Sequence, residues 1–260
     1  MAEKKTKAAP NDHERFPHPR IMEALCEVHF QLPNGERWES RFLGELFKAV
    51  QDDFPIMEPV QQMGVAVELG PHGFGQRLMS GQQQARYLEA NRKLMLQLAD
   101  SVLTVNRVED YPGWKRMRRD IIGGWEKVRD ILHPALITRV GLRYINRLPR
   151  KDEAQTPGHW LKSNEYIPNA VLDSRRGLLS RVQVQKSHQS RTVVTLADEP
   201  APLDVPASLI FDIDCIRIEE MKPEDKILRG CIDELHGQVW RVFSSALTEN
   251  LRRLLETGED

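Results

Sequence analysis

Residues 137–148 read ITRVGLRYINRL, and strict alternation sets Val140, Leu142 and Tyr144 on one side of a strand and Arg139, Arg143 and Arg147 on the other. The same two-residue period runs over residues 22–30, where Met22, Ala24, Cys26, Val28 and Phe30 alternate with Glu23, Leu25, Glu27 and His29. Leu25 is the one apolar residue on the second face. The period then becomes helical: Trp38, Phe42, Leu46, Phe47, Val50 and Phe54 recur at three- and four-residue steps until Pro55. Over residues 65–107 the runs VAVEL, QRLMS, ARYLEA, KLMLQLA and SVLTVNR are separated by Gly70 and Pro71, Gly81 and Asn91, which predicts a meander of short antiparallel strands.

A second helix is announced by Asp110, Pro112 and Gly113 and carries the stripe Trp114, Met117, Ile121, Trp125, Val128 and Leu132. Gly123 and Gly124 predict a kink in it, and His133 with Pro134 predict its end. Residues 151–176 turn polar around Pro157, Gly158 and Pro168, as expected of a long excursion holding one short helix. LLSRVQVQKS, RTVVTLA and SLIFDIDCIRI predict three further strands, the last after a proline-rich break at 200–206. One long final helix is predicted from Pro223, with a stripe running from Leu228 through Leu235, Val242 and Leu247 to Leu254.

This order predicts an α+β fold: a large, mostly antiparallel sheet with three main helices packed on one face, and room for two related halves. The expected organisation is a disordered tail over 1–16 and a single domain over 17–257, with halves at 17–134 and 135–257. No repeated motif ties those halves together. Composition adds limits. Lysine and arginine total 37 against 38 aspartates and glutamates in 260 residues, so no global basic field drives nucleic-acid binding, and any anion site is local. The start has no hydrophobic signal and no segment approaches a membrane span. Cys26, Cys215 and Cys231 fall inside apolar runs without a CxxC, which suits buried thiols in a reducing cytoplasm.

Five stretches together resemble a known family: PHPRIMEALCEVHF near the start, YPGW at 111–114, RVGLRYINRL at 139–148, FDIDC at 211–215 and LHGQVWRVFSSALTENLR at 235–252. These are the sporadically distributed, functionally uncharacterised prokaryotic proteins of about this length. The resemblance implies no catalytic residues to carry over. The family's patchy occurrence implies accessory genes that move between genomes, such as defence or toxin and antitoxin cargo.

The candidate chemistry is carried by charged strand faces. Arg139, Arg143, Arg147 and Arg181 are candidate anion-binding residues, and Glu23, Glu27, Asp212 and Asp214 form a candidate acidic or metal face. Alternate strand residues lie roughly 6.6 Å apart, which puts Arg139 and Arg143 about 13 Å apart, too far to clamp one phosphate together. If all these faces coincide, one reading is a solvated sheet laced by cross-strand ion pairs worth about 0.2–1 kcal/mol each. The other is a groove for an anionic ligand.

Asp212 and Asp214 would hold magnesium only with waters and phosphates completing its shell, so no cofactor is expected outside that second reading. Glu23, Glu27 and His29 invite comparison with triphosphate-tunnel enzymes, from which the chain departs at Leu25 and His29. No GxSxG motif or Cys/His pair supports nucleophilic catalysis. Lys115, Arg116, Arg118 and Arg119 read as an outward helix face. The expectation is therefore a cytoplasmic, non-enzymatic accessory protein whose partner is another protein, with neither nucleic acid nor membrane involved. The alternative is a nucleotide- or phosphate-binding protein, extending to a metal-dependent phosphohydrolase.

Overall fold

The computed structural model describes residues 16–33, 38–70, 73–150, 155–175, 177–199 and 207–259, with backbone alone over 61–70 and 73–83. The expected tail at 1–16, apart from Phe16, lies outside these residues, as do the proline-rich break at 200–206 and the centre of the turn at 71–72.

Nine strands pair in one sheet, and every pairing is antiparallel. They are β1 (Ile21–Gln31), β2 (Ile56–Gly70), β3 (Gly73–Leu88), β4 (Leu94–Ala99), β5 (Val102–Val108), β6 (Leu136–Arg150), β7 (Leu179–Ser187), β8 (Ser190–Glu199) and β9 (Ala207–Met221). Among the described residues six helices accompany them: α1 (Arg41–Val50), α2 (Trp114–Leu132), α3 (Pro157–Trp160), α4 (Asn169–Leu172), α5 (Asp225–Ala246) and α6 (Glu249–Thr257). The strand order is β2-β3-β4-β5-β1-β6-β9-β8-β7, so β1 and β6 lie side by side near the middle. The fold is α+β.

Alternation in the strands becomes burial. Ala24, Cys26 and Val28 of β1, Val140 and Leu142 of β6, and Phe211, Ile213 and Cys215 of β9 are all fully buried. They join Met117, Ile121, Trp125 and Val128 of α2 and Leu228, Ile232 and Leu235 of α5 in one continuous core. Each large apolar side chain in it contributes about 1.5–3 kcal/mol. Trp125 meets Phe30 edge-on at 5.9 Å.

Four expectations need correction. α2 runs unbroken through Gly123 and Gly124. A methyl at Gly124 would stand 3.0 Å from Leu96 Cδ2 and 3.2 Å from Val105 Cγ2, so this glycine lets the helix lie close on β4 and β5. QRLMS and the first four residues of ARYLEA belong to one long strand, β3, which continues past Gly81 with a register shift against β2 there. The final helix divides at Leu247, which is extended and bridges to Leu161, and Thr248 then caps α6 by accepting the Leu251 amide at 3.2 Å.

The excursion at 151–176 holds two short helices instead of one. Its ends are fastened by Arg150, a guanidinium 1% exposed that donates to Gln155 O at 2.9 Å and Ser174 O at 2.7 Å and pairs with Asp198.

Candidate functional site

The strand register puts the candidate residues of β1, β6, β9 and β7 on the same face of the sheet. Leu25 lies opposite Arg143, Glu27 opposite Gly141 and His29 opposite Arg139 across β1 and β6. Arg143 lies opposite Asp214, and Ile145 opposite Asp212, across β6 and β9. Register alone would pair Arg143 with Asp214. It instead reaches the diagonal neighbour: Nε and Nη2 each donate to an Asp212 carboxylate oxygen at 2.8 Å, a bidentate pair. Asp212 is 5% exposed, so the carboxylate half of this pair is sheltered, while the Arg143 side chain reaches solvent.

The other arginines are matched as well. Arg139 Nη1 stands 3.3 Å from Glu27 Oε2 and 2.6 Å from His29 Nε2. The same His29 nitrogen stands 3.6 Å from Glu27 Oε2, and its protonation decides whether it accepts from Arg139 or donates to Glu27. Arg147 donates to Glu199 at 2.6 Å, a partner at the end of β8. Glu23 meets no arginine; it accepts from Asn106 Nδ2 of β5 at 2.7 Å. Arg181 stands apart on the exposed strand β7 and, among the described residues, reaches Thr195 Oγ1 at 3.4 Å.

The centre of this face is Gly141. Its missing side chain leaves a gap bounded by Arg139 Nη2 and Asp214 Oδ1, each at 3.8 Å, and Glu27 Oε2 at 3.9 Å. Hydrogen bonding by His29, followed by the charges of Arg139 and Arg143, holds Glu27 below the usual carboxylate range in spite of partial burial. Asp214 goes the other way. Burial pushes it up to about 6, against the pull of Arg143 and Arg139, and it accepts no hydrogen bond among the described residues. Among the described residues, no group of three or more histidine, cysteine, aspartate or glutamate side chains is placed to hold a metal ion. Burial raises the thiols of Cys215 and Cys231 to about 12 and that of Cys26 well above its usual value, so all three are poor nucleophiles.

A second place was not legible as a motif. A cavity of about 510 Å³ opens where the N-terminus of α2 meets the middle of α5 and the segment before β1. Each of the five stretches that carry the resemblance lends it a wall: Arg20, then Tyr111 to Trp114, then Tyr144 and Asn146, then Ile213, then His236 and Trp240. Trp114 stacks on His236 with ring centroids 4.1 Å apart and planes 5° from parallel. The hydroxyls of Tyr111 and Tyr144 bond at 2.8 Å. Asp233 ties α5 to α2 by accepting from Trp114 Nε1 at 3.0 Å and Arg118 Nη1 at 2.9 Å. This corrects the outward reading of the α2 basic cluster in part, since Arg118 faces α5 and Lys115 lines the cavity, while Arg116 and Arg119 are exposed.

No family model and no curated protein matches this chain. The resemblance rests on the quoted stretches alone. Sequence contained one signal for that cavity, the Pro112–Gly113 start of α2, whose first turn lacks any acidic residue. Its aromatic partners lie too far along the chain to be read beside it.

Proposed function

We propose that this is a non-catalytic, cytoplasmic accessory protein that works by binding another protein. The observation that carries this reading is the ion-pair pattern on the charged face: Arg139, Arg143 and Arg147 already have Glu27, Asp212 and Glu199. A phosphate clamp needs unanswered guanidiniums, and the arginines at the centre of this face each already meet a carboxylate, although Arg139 Nε is buried without a hydrogen-bond partner. What it offers is a broad surface of arginines interleaved with half-buried Leu25, Ile145 and Ile210 and exposed Ile218. Arginine and aliphatic side chains mixed in this way suit protein contact. The family resemblance adds the setting, a mobile or defence-type gene system, including toxin and antitoxin pairs.

The reading includes an architecture. In it α1, α2 and α5 form a layer over the face bearing Ala24, Val140 and Phe211, which leaves the charged face for a partner. It also takes 17–134 and 135–257 as related halves: β1, β5, β4 and β3 answer to β6, β9, β8 and β7, and α2 answers to α5. The mirrored strand order about the β1–β6 pair supports this.

The test is purification of tagged full-length protein from its native genetic neighbourhood under mild conditions. A stoichiometric partner held by the wild type and lost with Ile218→Glu supports the proposal; a bare monomer overturns it. A melting screen with nucleotides, with and without magnesium, covers the alternative, because a ligand of the native state raises apparent stability. A shift that Arg143→Ala abolishes would replace the protein-binding reading with a nucleotide- or phosphate-binding one.

A further inference from the structure

Independently of the protein-binding reading, we infer that the cavity between α2, α5 and the segment before β1 is a binding site for a small organic anion with a flat apolar body. Its volume of about 510 Å³ falls within the range of small-molecule sites, roughly 300–1,000 Å³. Its walls are largely aromatic, with Phe16, Trp240 and Phe243 at one side, where Trp240 lies 6.2 Å from Phe16 and 6.0 Å from Phe243 by ring centroids. Aromatic walls of this kind favour a planar ring system, which they can stack or meet edge-on.

The charge on the cavity has one sign. Arg20, Lys115 and Arg118 line it and no aspartate or glutamate does. Arg118 is answered by Asp233, just outside the lining. Arg20 and Lys115 have no carboxylate partner among the described residues. Arg20 is half-buried, donates Nη2 to Gly258 O at 2.9 Å, and keeps its Nε buried without a hydrogen-bond partner.

The dipole of α2 acts in the same direction. The helix is 19 residues long, opens at Gly113 on the cavity wall, has no side-chain cap, and carries Lys115 instead of an acid in its first turn. The anionic group of the ligand sits between Arg20, Lys115 and this helix start, with the apolar body against Trp240 and Phe243. Asn146, 3% exposed and on the lining, spends its amide on Phe211 O at 3.1 Å, which fixes it as a polar stop on the inner wall.

Isothermal titration of the full chain with three isosteric probes tests this: naphthoate, naphthalenemethanol and naphthylmethylammonium. Naphthoate should bind one-to-one and at least about tenfold more tightly than the alcohol, with no binding of the ammonium. Lys115→Glu, at an exposed position with no ion pair to lose among the described residues, should weaken naphthoate about tenfold without lowering the melting temperature, since an acid in the first turn suits the dipole of α2. Val239→Phe, which grows a side chain on the lining, should exclude all three probes. Equal affinity for the three, no binding of naphthoate at millimolar concentration, or full affinity in Lys115→Glu would each overturn the inference. A partner captured through the charged face would not rescue it, and loss of that partner would not weaken it.

Discussion

The charged sheet face and the α2–α5 cavity hold the same kinds of groups and treat them in opposite ways. On the sheet face, antiparallel register brings arginines and carboxylates within reach, and Arg143 with Asp212 shows how completely they satisfy one another. In the cavity, the groups come from separated stretches, and Arg20 and Lys115 are left without a carboxylate. Density of charge is therefore a poor guide to a binding site. A charge the fold has not answered is a better one.

Three changes sharpen or break that comparison. Asp212→Ala should have the largest effect, a loss of about 2 kcal/mol in urea denaturation, because it removes both bidentate bonds of Arg143 and leaves Asp214 and Glu23 as its neighbouring charges. Adding Arg143→Met should restore most of it, and a cost near zero for the single change would mean the face is no network at all.

Asp214→Asn should act in the other direction and depend on pH. The folded-state pKa of Asp214, about 6, lies above its ordinary 3.8, so the stability linked to its proton is complete below about 3.8 and is lost as pH rises through about 6. The asparagine variant should therefore be more stable than the wild type by about 1–2 kcal/mol at neutral pH, with the difference closing toward pH 4. Melting curves across that window check it; a variant less stable at neutral pH would show that ionised Asp214 is held by its arginines after all. Arg147→Ala should change stability least, by no more than about 0.5 kcal/mol, since both it and Glu199 reach solvent.

The strands and the principal helices were legible because their periods are strong: the buried residues of β1 and β6 are the ones that alternation selects. So was the common face of Glu27, Arg139, Arg143, Asp212 and Asp214, once the sheet joined their strands. Partner choice was not. Glu199 could not be matched to Arg147 without knowing that β8 lies next to β9, and the diagonal bond of Arg143 depends on side-chain reach. Gly124 reads as a helix breaker in sequence and serves as a contact surface in the fold. The cavity was hidden for a similar reason: Trp114 and Asp233 lie 119 residues apart and meet only when α2 packs on α5.

The position of β1 beside β6 bears on how the chain is made. β1 leaves the ribosome before both strands it pairs with, one edge waiting for β5 and the other for β6, so it has no complete set of neighbours until β6 has emerged. During that interval an alternating apolar strand stands ready to pair with any exposed edge, its own copies on neighbouring ribosomes included. Glu23, Glu27 and His29, which later join the charged face, are then a guard against such pairing. In the nascent chain these side chains serve solubility before they serve the finished sheet.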